Sequence, residues 1–350
     1  MSMAIPASLG LTRSELAAIE ALALRLSHDE RHLSRLGAFK AAIEGRQTKI
    51  IAALLATGME AHGPVYPLLL IVQSMATIGD LYRRCGIGDD VRDATLSDVR
   101  RWVDEHEARN GGEFGLSQIF WIARHLSCRI VQIGSLQFEP KPFGYPYRIY
   151  QARGSGSPLV LAEAGIGCDG LGYLDEERPA FVTALTEDGV TVSAHQVDCL
   201  SGSISSSLES YPLDDLCLLC DRETEILNVH IPKGVDFTPE AVSASLRGAA
   251  EHFPSSRLFV CTSWLLDPAL GGVLDEASNI IRFMRRFSKF PVPFSVPQLY
   301  ERVFGYGVEE IRGLPATTGL QRAVQQAVEA GVVFRTMGGV VPVRGASPPC

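Results

Sequence analysis

Apolar positions recur at helical spacing through the first third of the chain and at strand spacing after it. Leu11-Thr12-Arg13-Ser14-Glu15-Leu16 opens with a capping box, Thr12 with Glu15, and a staple, Leu11 with Leu16. Leu16, Ile19, Leu22, Ala23 and Leu26 follow on one face, which predicts a helix from that cap. Similar periods predict helices over Lys49–Glu60, Leu68–Arg84, Ser97–Ala108 (with Thr95 and Asp98 as a cap pair) and Leu116–Ser127. At Arg129 the period changes. Arg129–Glu139 is β-rich, with Ile133, Ser135, Gln137 and Glu139 on one face and Leu136 and Phe138 on the other. Strands are expected at Tyr147–Ala152, Leu159–Ala164, Ala180–Leu185 and Val190–Ala194, with Glu187-Asp188-Gly189 as a hairpin turn.

The pattern then produces one unit of a different kind. Glu225–Ile231 predicts a strand. Thr238 caps a helix with Pro239 at its first position and Val242, Leu246, Ala249, Ala250 and Phe253 as its apolar stripe, and Arg257–Leu266 predicts a second strand. Connections this short imply a right-handed parallel crossover, and ligands bind where the chain leaves the carboxyl end of such a strand. His230 stands at that end. Later segments predict helices at Asn279–Phe287 and Gly319–Ala330, a hairpin turning at Gly338-Gly339, and a disordered tail. The fold class is therefore α/β (α+β). Residues 1–127 form a helical domain, 128–344 a mixed-sheet domain built on the crossover, and 345–350 the tail.

Composition narrows the function. The 350 residues carry 32 Lys and Arg against 40 Asp and Glu, a net charge of −8, so the overall field repels polyanions and nucleic acid is a poor partner. The continuous apolar run Leu68–Val72 is far shorter than the ~20 residues of a membrane span, and MSMAIPASLG has no charged start followed by a long apolar run. A cytoplasmic location is expected, with the eight cysteines as thiols.

Three motifs have plain readings. Gly165-Ile-Gly167-Cys-Asp-Gly170 matches a dinucleotide fingerprint, but Leu171–Pro179 cannot open the required helix, so a turn is expected. Cys217 and Cys220 have metal spacing, with His195, Cys199 and His230 as conceivable partners. On a regular strand their thiols point to opposite faces, so no metal is expected. Arg282, Arg285, Arg286 and Lys289 make one side of the Asn279 helix basic, which suits either solvent or an anionic donor.

Gln132–Glu139, Ile226–Gly234, Phe259–Pro268 and Ser278–Phe283 together resemble a bacterial family of acyltransferase-domain proteins. That family has a helical N-acyltransferase N-terminal domain and a GNAT-like C-terminal domain, and the resemblance spans Lys49–Pro342. It implies a GNAT-like fold and acyl-CoA-dependent N-acyl transfer, with the thioester between two parallel strands and the coenzyme pyrophosphate at the helix start. The family's Gln/Arg-x-x-Gly-x-Gly/Ala cradle is replaced here by Pro232–Thr238. The donor thus stays open between acyl-CoA and an acidic acyl-carrier protein, and the acceptor is a small-molecule amine, as in natural-product biosynthesis.

On this reading His230 is the general base, Glu139 a second candidate, and Ser263 protonates or positions the leaving thiolate. Cys261 offers an alternative ping-pong route with His230 as its base. Ile231, Lys233, Gly234, Thr238, Arg282, Arg285 and Arg286 are donor-binding candidates, and Asn228, Trp264 and Asn279 are substrate-binding candidates. A third reading keeps the fold as a non-catalytic thioester-binding module.

Overall fold

A computed structural model describes residues 7–153 and 158–343. They form two compact units: the chain up to Glu139 together with His230–Val235, and Pro140–Val229 together with the chain from Asp236 onward. The expected tail, 345–350, lies outside the described residues.

The first unit holds helices α1 (Arg13–Arg25), α2 (Glu30–Glu44), α3 (Thr48–His62), α4 (Tyr66–Gln73), α5 (Met75–Arg84), α6 (Asp89–Leu96), α7 (Asp98–Arg109) and α8 (Ile119–Leu126). The Thr12–Glu15 capping box opens α1 as its sequence requires. Tyr66 to Val72 are all buried, so α4 is an apolar rod surrounded by neighbours. The single helix expected over Leu68–Arg84 breaks at Ser74, which lies between α4 and α5. The break lets α5 bury Ile78, Leu81 and Tyr82 on one side while Asp80 and Arg83 remain exposed. Thr95 is not part of a cap pair: its hydroxyl donates to Val91 O and accepts the Gln132 N–H. Leu116–Gln118 precede α8 instead of joining it. The run Arg129–Glu139 is two strands, β1 (Val131–Ile133) and β2 (Leu136–Pro142), paired antiparallel with Ile133 opposite Leu136. Gly134, at φ 62°, makes the two-residue turn between them.

In the second unit one sheet is antiparallel, in the order β10 (Leu216–Cys220), β3 (Tyr147–Ala152), β4 (Pro158–Ala162), β8 (Thr191–Val197) and β7 (Leu185–Glu187). β9 (Ile204–Pro212) pairs on β8, and β5 (Gly167–Cys168) pairs with β6 (Phe181–Val182) in a small ribbon. The Asp188-Gly189 turn joins β7 and β8 as expected. Gly167 and Cys168 are strand, and Asp169 Oδ1 accepts the N–H groups of Leu171 and Tyr173, so the glycine motif is a turn with no helix behind it.

The crossover is present. β11 (Glu225–His230) runs parallel to β12 (Leu258–Ser263), and α9 (Pro239–His252) joins them with Thr238 as its N-cap. β14 (Met337–Pro342) lies antiparallel between β12 and β13 (Ser288–Pro291). Gly338 and Gly339 therefore sit inside a paired strand and make no hairpin turn. Phe143, Tyr147, Ile149, Ile226, Val260, Phe290 and Val340 share one core. The helices α10 (Asn279–Met284), α11 (Gln298–Phe304) and α12 (Gly319–Glu329) enclose a second around Ile281, Leu299, Val324 and Phe334.

The cysteine geometry departs from expectation. β10 pairs Cys217 with Gln151 and Cys220 with Ile149, with a register shift after Leu218. Gln151 and Ile149 share a face of β3, so the bulge turns both cysteine positions to one side. Among the described residues no three His, Cys, Asp or Glu side chains are gathered as a metal site.

Candidate active site

Two of the expected catalytic residues meet in the first unit. His230, where β11 ends, has its Nε2 3.3 Å from Glu139 Oε2. Glu139 is 8% exposed, and Arg124 of α8 grips both of its oxygens, with Nε 3.1 Å from Oε1. Burial pushes this carboxyl's pKa upward. The hydrogen bonds and charges of His230 and Arg124 outweigh that, holding it below its usual value. Glu139 is thus a carboxylate committed to His230 and Arg124. With Nε2–H donated to Glu139, the acceptor lone pair of the neutral ring is on Nδ1.

Helix α8 supplies more of the site than Arg124. Trp121, Arg124 and His125 stand at i, i+3 and i+4, on one helical face. The Trp121 and His230 rings meet at 86° with centroids 4.9 Å apart, and the Arg124 guanidinium lies 5.2 Å from the Trp121 ring centre. His125 is fully buried, its Nδ1 3.0 Å from Trp121 O, and burial depresses its pKa. These neighbours of His230 and Glu139 were not singled out from the sequence. The available signal was a Trp and an Arg one helical turn apart, preceding a strand that contains Glu139.

The remaining candidates are dispersed. Lys233 is exposed and pairs with Glu105 at 3.4 Å, while Ile231 is half-buried and Gly234 exposed. Thr238 spends its side-chain oxygen on the Ala241 N–H. Arg286 donates to Pro239 O and Ser243 Oγ, which ties it to the first turns of α9. Arg282 and Arg285 are exposed, with Arg285 3.1 Å from Glu276. The basic face expected along one helix is shorter than its spacing suggested, because α10 ends at Met284 and Lys289 is a buried residue of β13. Asn228 is buried on β11, Trp264 packs on the helical core of the second unit, and Asn279 is the exposed first residue of α10. Ser263 Oγ accepts the Leu265 N–H. Cys261 is fully buried and its thiol is pushed up to about 12, the opposite of what a nucleophilic thiolate needs.

The Glu139 carboxylate makes a prediction. An anion beside an imidazole favours its protonated form, so Glu139→Gln should move the acid limb of the kcat/KM profile to lower pH if His230 is the base. A pH–rate series on both proteins measures this. Because the native carboxyl is depressed, the stability it contributes is complete above its ordinary pKa and is lost as pH falls through the native one.

A helical unit followed by a mixed sheet with one parallel strand–helix–strand crossover is the architecture of a GNAT-like acyltransferase. Residues 6–128 match the N-acyltransferase N-terminal domain and residues 130–341 the GNAT-like C-terminal domain, so the chain belongs to this two-domain acyltransferase family. A search of curated proteins finds no match. Among solved structures, an acyltransferase in complex with decanoyl-CoA and teicoplanin matches with a TM-score of 0.58 and 19% identity, covering 96% of this chain and 85% of that one. Similar values hold for an acyltransferase with CoA and 10C-teicoplanin, at 20% identity, and for a mutant acyltransferase with octanoyl-CoA, at 19%. No helix among the described residues is long and apolar enough to cross a membrane.

Proposed function

We propose that the protein transfers an acyl group from acyl-CoA to an amine of a small molecule by direct attack, with His230 as the general base. The observation that carries this is the His230–Glu139–Arg124 arrangement, which holds an imidazole at a strand's carboxyl end with one tautomer favoured. The amine nitrogen bonds to the thioester carbonyl carbon as His230 takes its proton. Collapse then breaks the C–S bond, and the leaving thiolate takes the proton that His230 accepted, which returns the imidazole to its neutral form.

Acyl-CoA is favoured as donor because the similar solved structures hold decanoyl-CoA, octanoyl-CoA or CoA, and teicoplanin or 10C-teicoplanin in two of them makes a complex natural product the first acceptor to try. At the start of α9, the exposed Asp236 accepts the Thr238 N–H. Arg286 brings a positive charge to the same helical turns. The cytoplasmic location, the role in natural-product biosynthesis and the division into domains 1–127 and 128–344 belong to this proposal.

The test is a free-thiol release assay with acyl-CoA esters of graded length against pooled amines including teicoplanin-type acceptors. Amine-dependent CoA release supports the reading. Release only from acyl-carrier-protein thioesters would move the donor, and thioester binding without release from any amine would favour a binding module. Cys261→Ala should retain turnover within about threefold, since a buried thiol with a raised pKa is unsuited to take the acyl group. A trapped acyl-enzyme lost in that variant would restore the ping-pong route.

A further inference from the structure

We propose that Trp121, anchored through its indole N–H by the buried Asp98, is a positioning residue for His230. The inference rests on His230 being the base and concerns what aims it. Asp98 is the first residue of α7, where the helix dipole favours a carboxylate, and it is 2% exposed. Its Oδ2 accepts Trp121 Nε1–H at 2.9 Å and Trp102 Nε1–H at 2.9 Å, and its Oδ1 accepts Arg101 Nη1–H at 2.8 Å. A carboxylate held by two planar indoles and a guanidinium has little freedom to move. The Trp121 ring is therefore clamped at its polar edge.

The clamped ring meets His230 nearly perpendicularly, at 4.9 Å between centroids. This contact adds a second restraint to the Glu139 hydrogen bond. A hydrogen bond at Nε2 leaves the ring able to rock through small coupled changes of its two side-chain torsions, and such rocking swings the direction of Nδ1. A perpendicular aromatic neighbour limits that rocking and hence holds the direction of the Nδ1 lone pair. Arg124 joins the two restraints, since its guanidinium lies over Trp121 and also grips Glu139. Proton transfer is steeply sensitive to such aim, because misplacement by about 1 Å costs about 10²-fold.

The experiment is a double-mutant cycle on the full-length chain. Trp121→Leu in the wild-type protein should lower kcat about 10- to 100-fold and leave KM for donor and acceptor within about twofold. In a His230→Asn background, assayed at pH 9 where more of the amine is neutral without help, the same change should cost less than about twofold, because no base is left to aim. Equal losses in both backgrounds, or unchanged kcat in a folded Trp121→Leu, would overturn the inference. If Trp121→Leu gives no cooperative thermal transition, Trp121→Phe fills the same site without the N–H. It should show a smaller loss with the same non-additivity, and additivity or no loss there overturns the inference equally. Wild-type turnover by His230→Asn itself would instead refute the base assignment, which separates the two failures.

Discussion

Turnover by His230→Ala or His230→Asn is expected to fall about 10²- to 10⁴-fold, the range for loss of a general base, while donor binding changes little. The warrant is geometric: the imidazole ends the strand leading into the crossover, and Glu139 and Arg124 fix which of its nitrogens carries the proton. Loss of the base should also change the shape of the pH profile. The acid limb of kcat/KM that reports imidazole protonation should vanish, leaving the slope set by the amine's own ionisation. Donor affinity, measured by calorimetry with a non-hydrolysable acyl-CoA analogue, is the control that separates chemistry from binding. A folded variant with wild-type turnover between pH 6 and 9 would exclude His230, and a water chain would then have to carry the proton.

The second large effect concerns folding. Gly338 lies in β14 opposite Thr262 on one side and Phe290 on the other. A Cβ added there would fall 2.3 Å from Phe290 Cε2 and 2.4 Å from its Cζ. The ring cannot withdraw, because Phe290 is fully buried against Phe143, Tyr145 and Tyr147, with centroid separations of 5.6, 5.2 and 4.9 Å. Gly338→Ala should therefore destabilise the protein by about 3 kcal/mol, the upper end for overpacking a core. Urea unfolding should show a lower midpoint with an unchanged slope. Adding Phe290→Leu to Gly338→Ala should recover part of the loss, whereas Gly319→Ala, where a Cβ meets nothing within 4 Å, should leave the midpoint in place.

That glycine also shows where one-dimensional reading ends. Two consecutive glycines between apolar residues carry the local signature of a turn, and nothing nearby in sequence tells a turn from a strand under an aromatic ring. Phe290, which decides the matter, lies on another strand far back along the chain. The helix expected over Leu68–Arg84 fails for a related reason. Helical periodicity continues across Gln73 and Ser74, yet the chain breaks there, with Tyr66–Val72 buried all round before the break and α5 burying one side only after it. The Cys217–Cys220 spacing by itself places the two on opposite faces of a strand, and the bulge, by adding one residue, brings them to the same face.

What the sequence determined by itself is local. The Thr12–Glu15 box, the Thr238-Pro239 helix start, the Asp188-Gly189 turn and the change of period near Arg129 each arise from residues within one or two turns of each other. Their backbone hydrogen-bonding groups are satisfied by near neighbours whatever the rest of the chain does. The place of His230 at the end of a strand ahead of a well-capped helix was legible for the same reason. Only the tertiary structure gathered Asp98, Trp121, Arg124 and Glu139 around or behind it, from α7, α8 and β2. Their meeting depends on how the helices of the first unit pack, and packing is set by the summed burial of many apolar side chains, a quantity no short stretch of sequence contains.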